Sequence, residues 1–301
     1  MSIPTILPYP MPKKRDLPQN RVSWEVNPKR AVLLVHDMQQ YFLNAYDSNN
    51  SPITELIINI QSLKSQCEKL GIPVIYTAQP GNQNPTDRAL LTDFWGTGLE
   101  DEFEQTKIIE EVAPTERDIV LTKWRYSAFK RTDLLDIMHD QGRDQLIICG
   151  IYAHIGCLIT ASDAFMQDIQ PFFVADAVAD FSLEDHQMVM KYAADRCAVT
   201  ITTQDILDSL RNELNSVIIK ADNSNQLQNI LLEKVAFHLE MSPSEINEED
   251  NLIDLGLDSI RIMSLVESLR QSGLDLSYVD LAERPTLADW KKLISYPGEK
   301  V

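Results

Sequence analysis

Basic charge is scarce in this chain: 27 Lys and Arg stand against 45 Asp and Glu, for a formal net charge of −18. Phosphate contacts need clustered cations, so the balance argues against a nucleic-acid partner. It suits a small-molecule enzyme, or a partner protein with a basic docking face. No apolar run approaches the length of a membrane span. The opening segment, "MSIPTILPYPMPKKRDLP", interrupts its apolar part with prolines and places its charges after it, unlike a secretory signal. Cysteine is sparse as well. Cys67, Cys149, Cys157 and Cys197 are scattered, with no C-x-x-C pair. A reduced, cytoplasmic protein without structural zinc is expected.

What is present divides into two textures. From about residue 30, short apolar runs alternate with helical patterns. The runs are "AVLLVHD" (31–37), "IPVIYTA" (72–78), "DIVLTK" (118–123), "DQLIICG" (144–150), "QPFFVAD" (170–176) and "CAVTIT" (197–202). Several are apolar almost throughout, as parallel strands covered on both faces must be. Between them, "ITELIINIQSLKSQCEKLG" has apolar spacing near 3.6 and a glycine stop, and "SLEDHQMVMKYAADR" opens with a Ser182–Asp185 cap. This alternation predicts an α/β domain: an open, mostly parallel sheet flanked by helices, over residues 1–210. Residues 211–225 read as the end of a helix and a linker. Residues 226–301 lack strand signals and carry amphipathic stretches that predict a small all-α four-helix bundle.

In a parallel sheet, ligands bind beyond the carboxyl ends of the strands. Asp37 and Lys123 stand at such ends, and the segment Gly150 to Cys157 follows the fourth strand. By the period of two, His36 and Asp37 are expected on opposite faces, with His36 packed. His154 lies inside the candidate loop, and His186 reads as solvated. A cysteine at a helix start could serve as a nucleophile, which makes Cys157 a candidate.

The motifs "VLLVHDMQQYF", "TKWRYSAF" and "LIICGIYAHIGCLITASDAF", in this order at strand ends, resemble the isochorismatase-like hydrolase family, whose sheet is Rossmann-like. The resemblance covers about residues 20–210. In the amidohydrolase branch of that family, which includes nicotinamidases, an Asp, a Lys and a Cys act together. The Cys stands six residues after the strand-end glycine. Six from Gly150 is Gly156, and Cys157 is one further, a rotation of about 100° on a helix. The resemblance therefore implies Asp37 and Lys123 as catalytic residues, glycine at the nucleophile's place, and hydrolysis of isochorismate without a covalent intermediate. Protonation of the vinyl ether needs an acid. Apolar neighbours Val35, Met38 and Phe42 would raise the Asp37 pKa and Lys123 would lower it. The resemblance further implies Gln79 and Arg88 as substrate contacts and Phe42, Trp95, Tyr126 and Tyr152 as pocket walls. It also implies self-association of the α/β domain. The metal-binding D-x-H segment of nicotinamidases is absent, so no metal is expected.

The segment "NLIDLGLDSIRIMSLVESLR" resembles the attachment site of carrier proteins, over about residues 226–297. Ser259 at a helix start is implied as the point of attachment of 4'-phosphopantetheine, and Arg261 resembles the aryl-carrier subtype. Exposed residues of this helix, Met263 among them, would meet partners: a phosphopantetheinyl transferase, a 2,3-dihydroxybenzoate-adenylating ligase, and the condensation domain of a non-ribosomal peptide synthetase. Together the two resemblances match the layout of bifunctional proteins of catechol-siderophore synthesis. The alternatives are a cysteine amidohydrolase using Cys157, a non-catalytic scaffold for the carrier, and hydrolysis of an amino-substituted isochorismate.

Overall fold

The computed structural model describes residues 3–274 and 276–295. The ends of the two expected domains, residues 1–2 and 296–301, lie outside the described residues. The chain divides into two compact units, Met1–Glu213 and Leu214–Val301.

The first unit is built on six parallel strands: β1 (Ala31–His36), β2 (Val74–Ala78), β3 (Ile119–Thr122), β4 (Gln145–Ile151), β5 (Gln170–Ala179) and β6 (Val199–Ile201). Their order across the sheet is β3-β2-β1-β4-β5-β6. The chain thus runs outward from β1 in one direction and then returns to its other side. The reversal leaves a crevice between β1 and β4, where open α/β sheets hold their ligands. Register fixes what lies there: His36 pairs with Thr77 of β2 on one side and Gly150 of β4 on the other.

Alternation along β1 sorts its side chains into two apolar layers. Ala31, Leu33 and Val35 join one layer with Leu56, Ile60 and Leu63 of helix α1 (Ile53–Leu70). Val32 and Leu34 face the other, with Leu134 and Met138 of α2 (Leu134–Asp140), Ala161 and Ala164 of α3 (Leu158–Phe165), and Val189 and Ala193 of α4 (Leu183–Arg196). α1 stops where Gly71 takes a left-handed conformation at φ 65°. α4 starts at Ser182, whose hydroxyl accepts the Asp185 N–H. β5 extends past the expected Asp176 because that carboxylate accepts the backbone N–H and hydroxyl of Thr203, at 2.7 and 2.8 Å.

The stretch 211–225, expected as a linker, is helical in its backbone: it lies within α5 (Thr203–Leu239). The second unit adds α6 (Ser259–Gln271), α7 (Tyr278–Glu283) and α8 (Leu287–Ser295) to the end of α5. Its core gathers Leu231, Val235, Leu252, Leu265, Leu281 and Trp290. Among the described residues no helix is long and apolar enough to cross a membrane.

Candidate active site and attachment serine

β1 ends at His36, and Asp37 leaves the extended conformation with φ 47°. That left-handed turn ends the period of two. His36 and Asp37 therefore line the same cavity, which corrects the expectation that they face apart. His36 is buried, as expected.

Asp37 is held from the ends of two other strands. Thr77 at the end of β2 donates its hydroxyl to Oδ1 at 2.6 Å, and Lys123, following β3, donates to Oδ2 at 2.8 Å. Gln79 Nε2 approaches Oδ2 at 3.3 Å. Gln79 itself is fixed through Gln39, whose Oε1 accepts the Gln79 N–H at 2.7 Å and whose Nε2 donates to the Gln79 carbonyl at 2.9 Å. Burial of Asp37 pushes its pKa up. The Lys123 charge, the neighbouring His36 and the hydrogen bonds from Lys123 and Thr77 outweigh burial, so the carboxyl titrates below its ordinary value. Of the two opposing influences read from the sequence, burial is the larger taken singly, and the lysine prevails only together with His36 and Thr77.

The remaining wall residues converge on the same cavity: Phe42, Arg88, Trp95, Tyr126, Tyr152 and Gly156 all line it. Tyr152 donates its hydroxyl to the Phe42 carbonyl at 2.8 Å, and Trp95 Nε1 donates to the Tyr126 hydroxyl at 2.7 Å. Phe181, at the end of β5, packs edge-on to Tyr152 with ring centroids 4.6 Å apart. Arg88 is 4% exposed, and its Nε donates to the Gly96 carbonyl at 2.5 Å. Its Nη1 is buried without a hydrogen-bond partner among the described residues. A desolvated guanidinium in this state fits a carboxylate.

The segment after β4 makes one wide turn, Ala153–Cys157, before α3 begins. Gly156 faces the cavity, whereas Cys157 is fully buried in the apolar layer beneath α3 and α4. Burial pushes the Cys157 thiol well above its ordinary pKa, which leaves no thiolate for nucleophilic attack. His154 pairs with the buried Asp180. His186, expected to be solvated, is instead buried: its Nδ1 meets the Tyr9 hydroxyl at 3.1 Å and its Nε2 the Ala175 carbonyl at 2.8 Å. The partner responsible is the N-terminal arm, 177 residues away in sequence, so no local pattern signals it.

Thr77, Gln39 and Arg125 were not legible as site residues. Thr77 contacts Asp37, Gln39 orients Gln79, and Arg125 lines the cavity. The strand register was the one available signal, since Thr77 pairs with the residue before Asp37. Among the described residues no group of three or more His, Cys, Asp and Glu is placed to hold a metal.

In the second unit, Asp258 caps α6 by accepting the N–H groups of Ile260 and Arg261, at 3.0 and 2.9 Å. The cap is thus the aspartate, and Ser259 is left exposed at the helix start, with the Tyr278 hydroxyl 3.4 Å from its Oγ. An exposed hydroxyl at the positive end of a thirteen-residue helix fits the attachment of a phosphodiester-linked arm. Ile260 and Met263, 79% and 62% exposed, flank it. Arg261 turns back, donating to the His238 carbonyl at 3.0 Å and pairing with Glu240 at 3.2 Å.

Residues 31–205 match the isochorismatase domain family, and residues 229–294 match the phosphopantetheine attachment site family. The isochorismatase of Bacillus subtilis (strain 168) is 56% identical over 305 residues, spanning 100% of this chain and 98% of its own. Enterobactin synthase component B of Escherichia coli (strain K12) is 44% identical over 295 residues, spanning 98% of this chain and 99% of its own. Among solved structures, a cysteine hydrolase from Pseudomonas syringae pv. phaseolicola 1448A shares the fold, with a TM-score of 0.59 and 23% identity, covering 65% of this chain and 98% of that one. The chain belongs to the isochorismatase family, with a phosphopantetheine attachment domain following the hydrolase.

Proposed function

We propose that Asp37 is the proton donor with which this isochorismatase hydrolyses isochorismate to 2,3-dihydro-2,3-dihydroxybenzoate and pyruvate. The observation that carries this is a carboxyl buried against an ammonium at a strand end, beside a glycine where a nucleophile would stand. Isochorismate brings two carboxylates into the cavity. Their negative charge favours the protonated form of Asp37, opposing the Lys123 charge. Asp37 transfers its proton to the terminal methylene of the enolpyruvyl group, whose double bond becomes a methyl group and an oxocarbenium ion. Water adds to the cationic carbon and returns a proton to Asp37. The resulting hemiketal passes its hydroxyl proton to the ring oxygen as the carbon–oxygen bond breaks, which releases pyruvate and the ring diol.

In this reading Lys123 sets the charge state of Asp37, and Gln79 and Thr77 aim its carboxyl. Arg88 binds a substrate carboxylate through Nη1. Phe42, Trp95, Tyr126 and Tyr152 exclude bulk water and so lengthen the reach of these charges. Gly156 supplies no side chain and no covalent step.

The chain acts in siderophore synthesis as both enzyme and carrier. We assign the hydrolase to residues 1–210 and the carrier to 226–301. Ser259 is the residue to which the arm is joined; the arm's thiol holds 2,3-dihydroxybenzoate as a thioester. Ile260 and Met263 face a phosphopantetheinyl transferase, an adenylating ligase and a condensation domain in turn. The setting is the cytoplasm, with self-association through the α/β domain.

The test is pyruvate release from isochorismate. Asp37→Asn retains the Thr77 contact and lowers kcat by about 10²–10⁴-fold, the usual contribution of a positioned acid. Turnover that survives Asp37→Asn but is lost in Cys157→Ala overturns the reading.

A further inference from the structure

His36 touches three things at once. Its backbone ends β1. Its Nδ1 lies 2.8 Å from the Ile151 carbonyl, and since a carbonyl only accepts, Nδ1 carries the proton. Its outer edge, Cε1 and Nε2, faces Gly156. A methyl carbon built on Gly156 would stand 2.0 Å from Cε1, 2.6 Å from Nε2 and 2.9 Å from Nδ1. Carbon atoms in good contact are about 3.5–4.0 Å apart, so a side chain and this ring cannot share the space.

The ring has no easy way to yield. It is 1% exposed and tied to Ile151. Asp37 Oδ1 lies 3.8 Å from Nδ1 on one side, and Asp37 is itself clamped by Thr77 and Lys123. The backbone of His36 imposes a matching restriction on β4: a methyl carbon on Gly150 would fall 2.2 Å from the His36 carbonyl oxygen. His36 therefore crowds both glycines, Gly150 within β4 and Gly156 within the turn after it, and Gly150 is in addition required by its φ of 108°.

We propose that His36 is the specificity-determining residue of this site, because its ring fills the volume that any side chain at position 156 would need. The choice between acid hydrolysis and covalent catalysis is set from β1, one residue before the acid, and the glycine follows from it. This inference rests on the reading that position 156 corresponds to the place of a catalytic cysteine in amidohydrolases. Its physical content, mutual exclusion of the His36 ring and a side chain at 156, is measurable without any turnover.

The experiment is a double-variant cycle in the full chain: His36→Ala, Gly156→Cys, and the two combined, each followed by thermal melting and by alkylation with iodoacetamide under native conditions. Gly156→Cys alone is expected to lower Tm by about 5–10 °C, as overpacking a buried site does. In the combination most of that loss disappears, and the new thiol at position 156 alkylates about tenfold faster than in the single variant, because it enters the cavity. A parallel cycle with His36→Val covers the case in which His36→Ala does not fold. A Tm loss that is the same with and without His36, or a thiol equally unreactive in both backgrounds, overturns the proposal. Because neither melting nor alkylation uses isochorismate, a failure of Asp37 as the acid would leave this result standing.

Discussion

Lys123 Nζ lies 2.8 Å from Asp37 Oδ2, and both side chains are buried, at 3% and 7% exposure. The pair bridges the ends of β3 and β1, two strands that are not neighbours, across the end of β2. Each charge compensates the other's desolvation, so the removal of one strands its partner.

Replacing Lys123 tests that dependence. Lys123→Met is expected to lower stability by about 3–5 kcal/mol at neutral pH. The sign of its pH dependence follows from Asp37, whose carboxyl titrates below its ordinary value in the folded chain. A depressed carboxyl contributes stability above its unfolded pKa, and that contribution fades as pH falls through the folded value. The deficit of Lys123→Met therefore persists from pH 7 down to the ordinary carboxyl range and shrinks as pH falls below about 4. A deficit independent of pH, measured by denaturant unfolding, would mean that the pair is not ionised.

Arg88 offers a buried Nη1 with no hydrogen-bond partner among the described residues. Arg88→Met removes a charged hydrogen bond to the substrate, with a loss of about 1.5–3 kcal/mol, or roughly 10–100-fold in KM. Steady-state kinetics with isochorismate should show KM rising while kcat changes little. A fall in kcat at constant KM contradicts a ground-state carboxylate contact.

His154 and Asp180 join the turn after β4 to the end of β5, beside Phe181 and Tyr152. Burial works against a charged imidazole here, but the hydrogen bond to Asp180 and its charge prevail, and the His154 pKa is raised. A raised pKa stabilises the fold fully below the unfolded value, about 6.5, and the benefit is lost as pH rises through the folded value. Thermal melts from pH 6 to pH 9 should show the native chain losing stability more steeply than His154→Gln. Parallel curves would place the pH dependence elsewhere.

Ser259 is exposed at the start of α6. Incubation with a phosphopantetheinyl transferase and coenzyme A should add one phosphopantetheine to the native chain and none to Ser259→Ala, as read by intact mass. Isochorismate turnover should be equal in both. A mass increase in the variant sinks the assignment of this serine.

Much of the sheet was legible because parallel strands covered on both faces read as unbroken apolar runs. The offset between Gly150 and Cys157 was enough to separate the cysteine from the cavity. What escaped was set at long range. The φ of Asp37 places it beside His36 against the strand alternation, and only the assembled sheet requires that turn. His186 reads as a surface histidine until Tyr9 reaches it. Asp176 reads as the end of β5 until Thr203 satisfies its carboxylate. The polar composition of 211–225 reads as the end of a helix and a linker; its backbone is helical, since polarity does not by itself break a helix and no glycine or proline interrupts that stretch.

The cap of α6 is Asp258, and the neighbouring hydroxyl has no part in holding the helix end. A group joined to Ser259 would therefore leave this cap in place and displace only the 3.4 Å contact from the Tyr278 hydroxyl. On the assignment of Ser259, the helix terminus would then be held by the same aspartate before and after the arm is added.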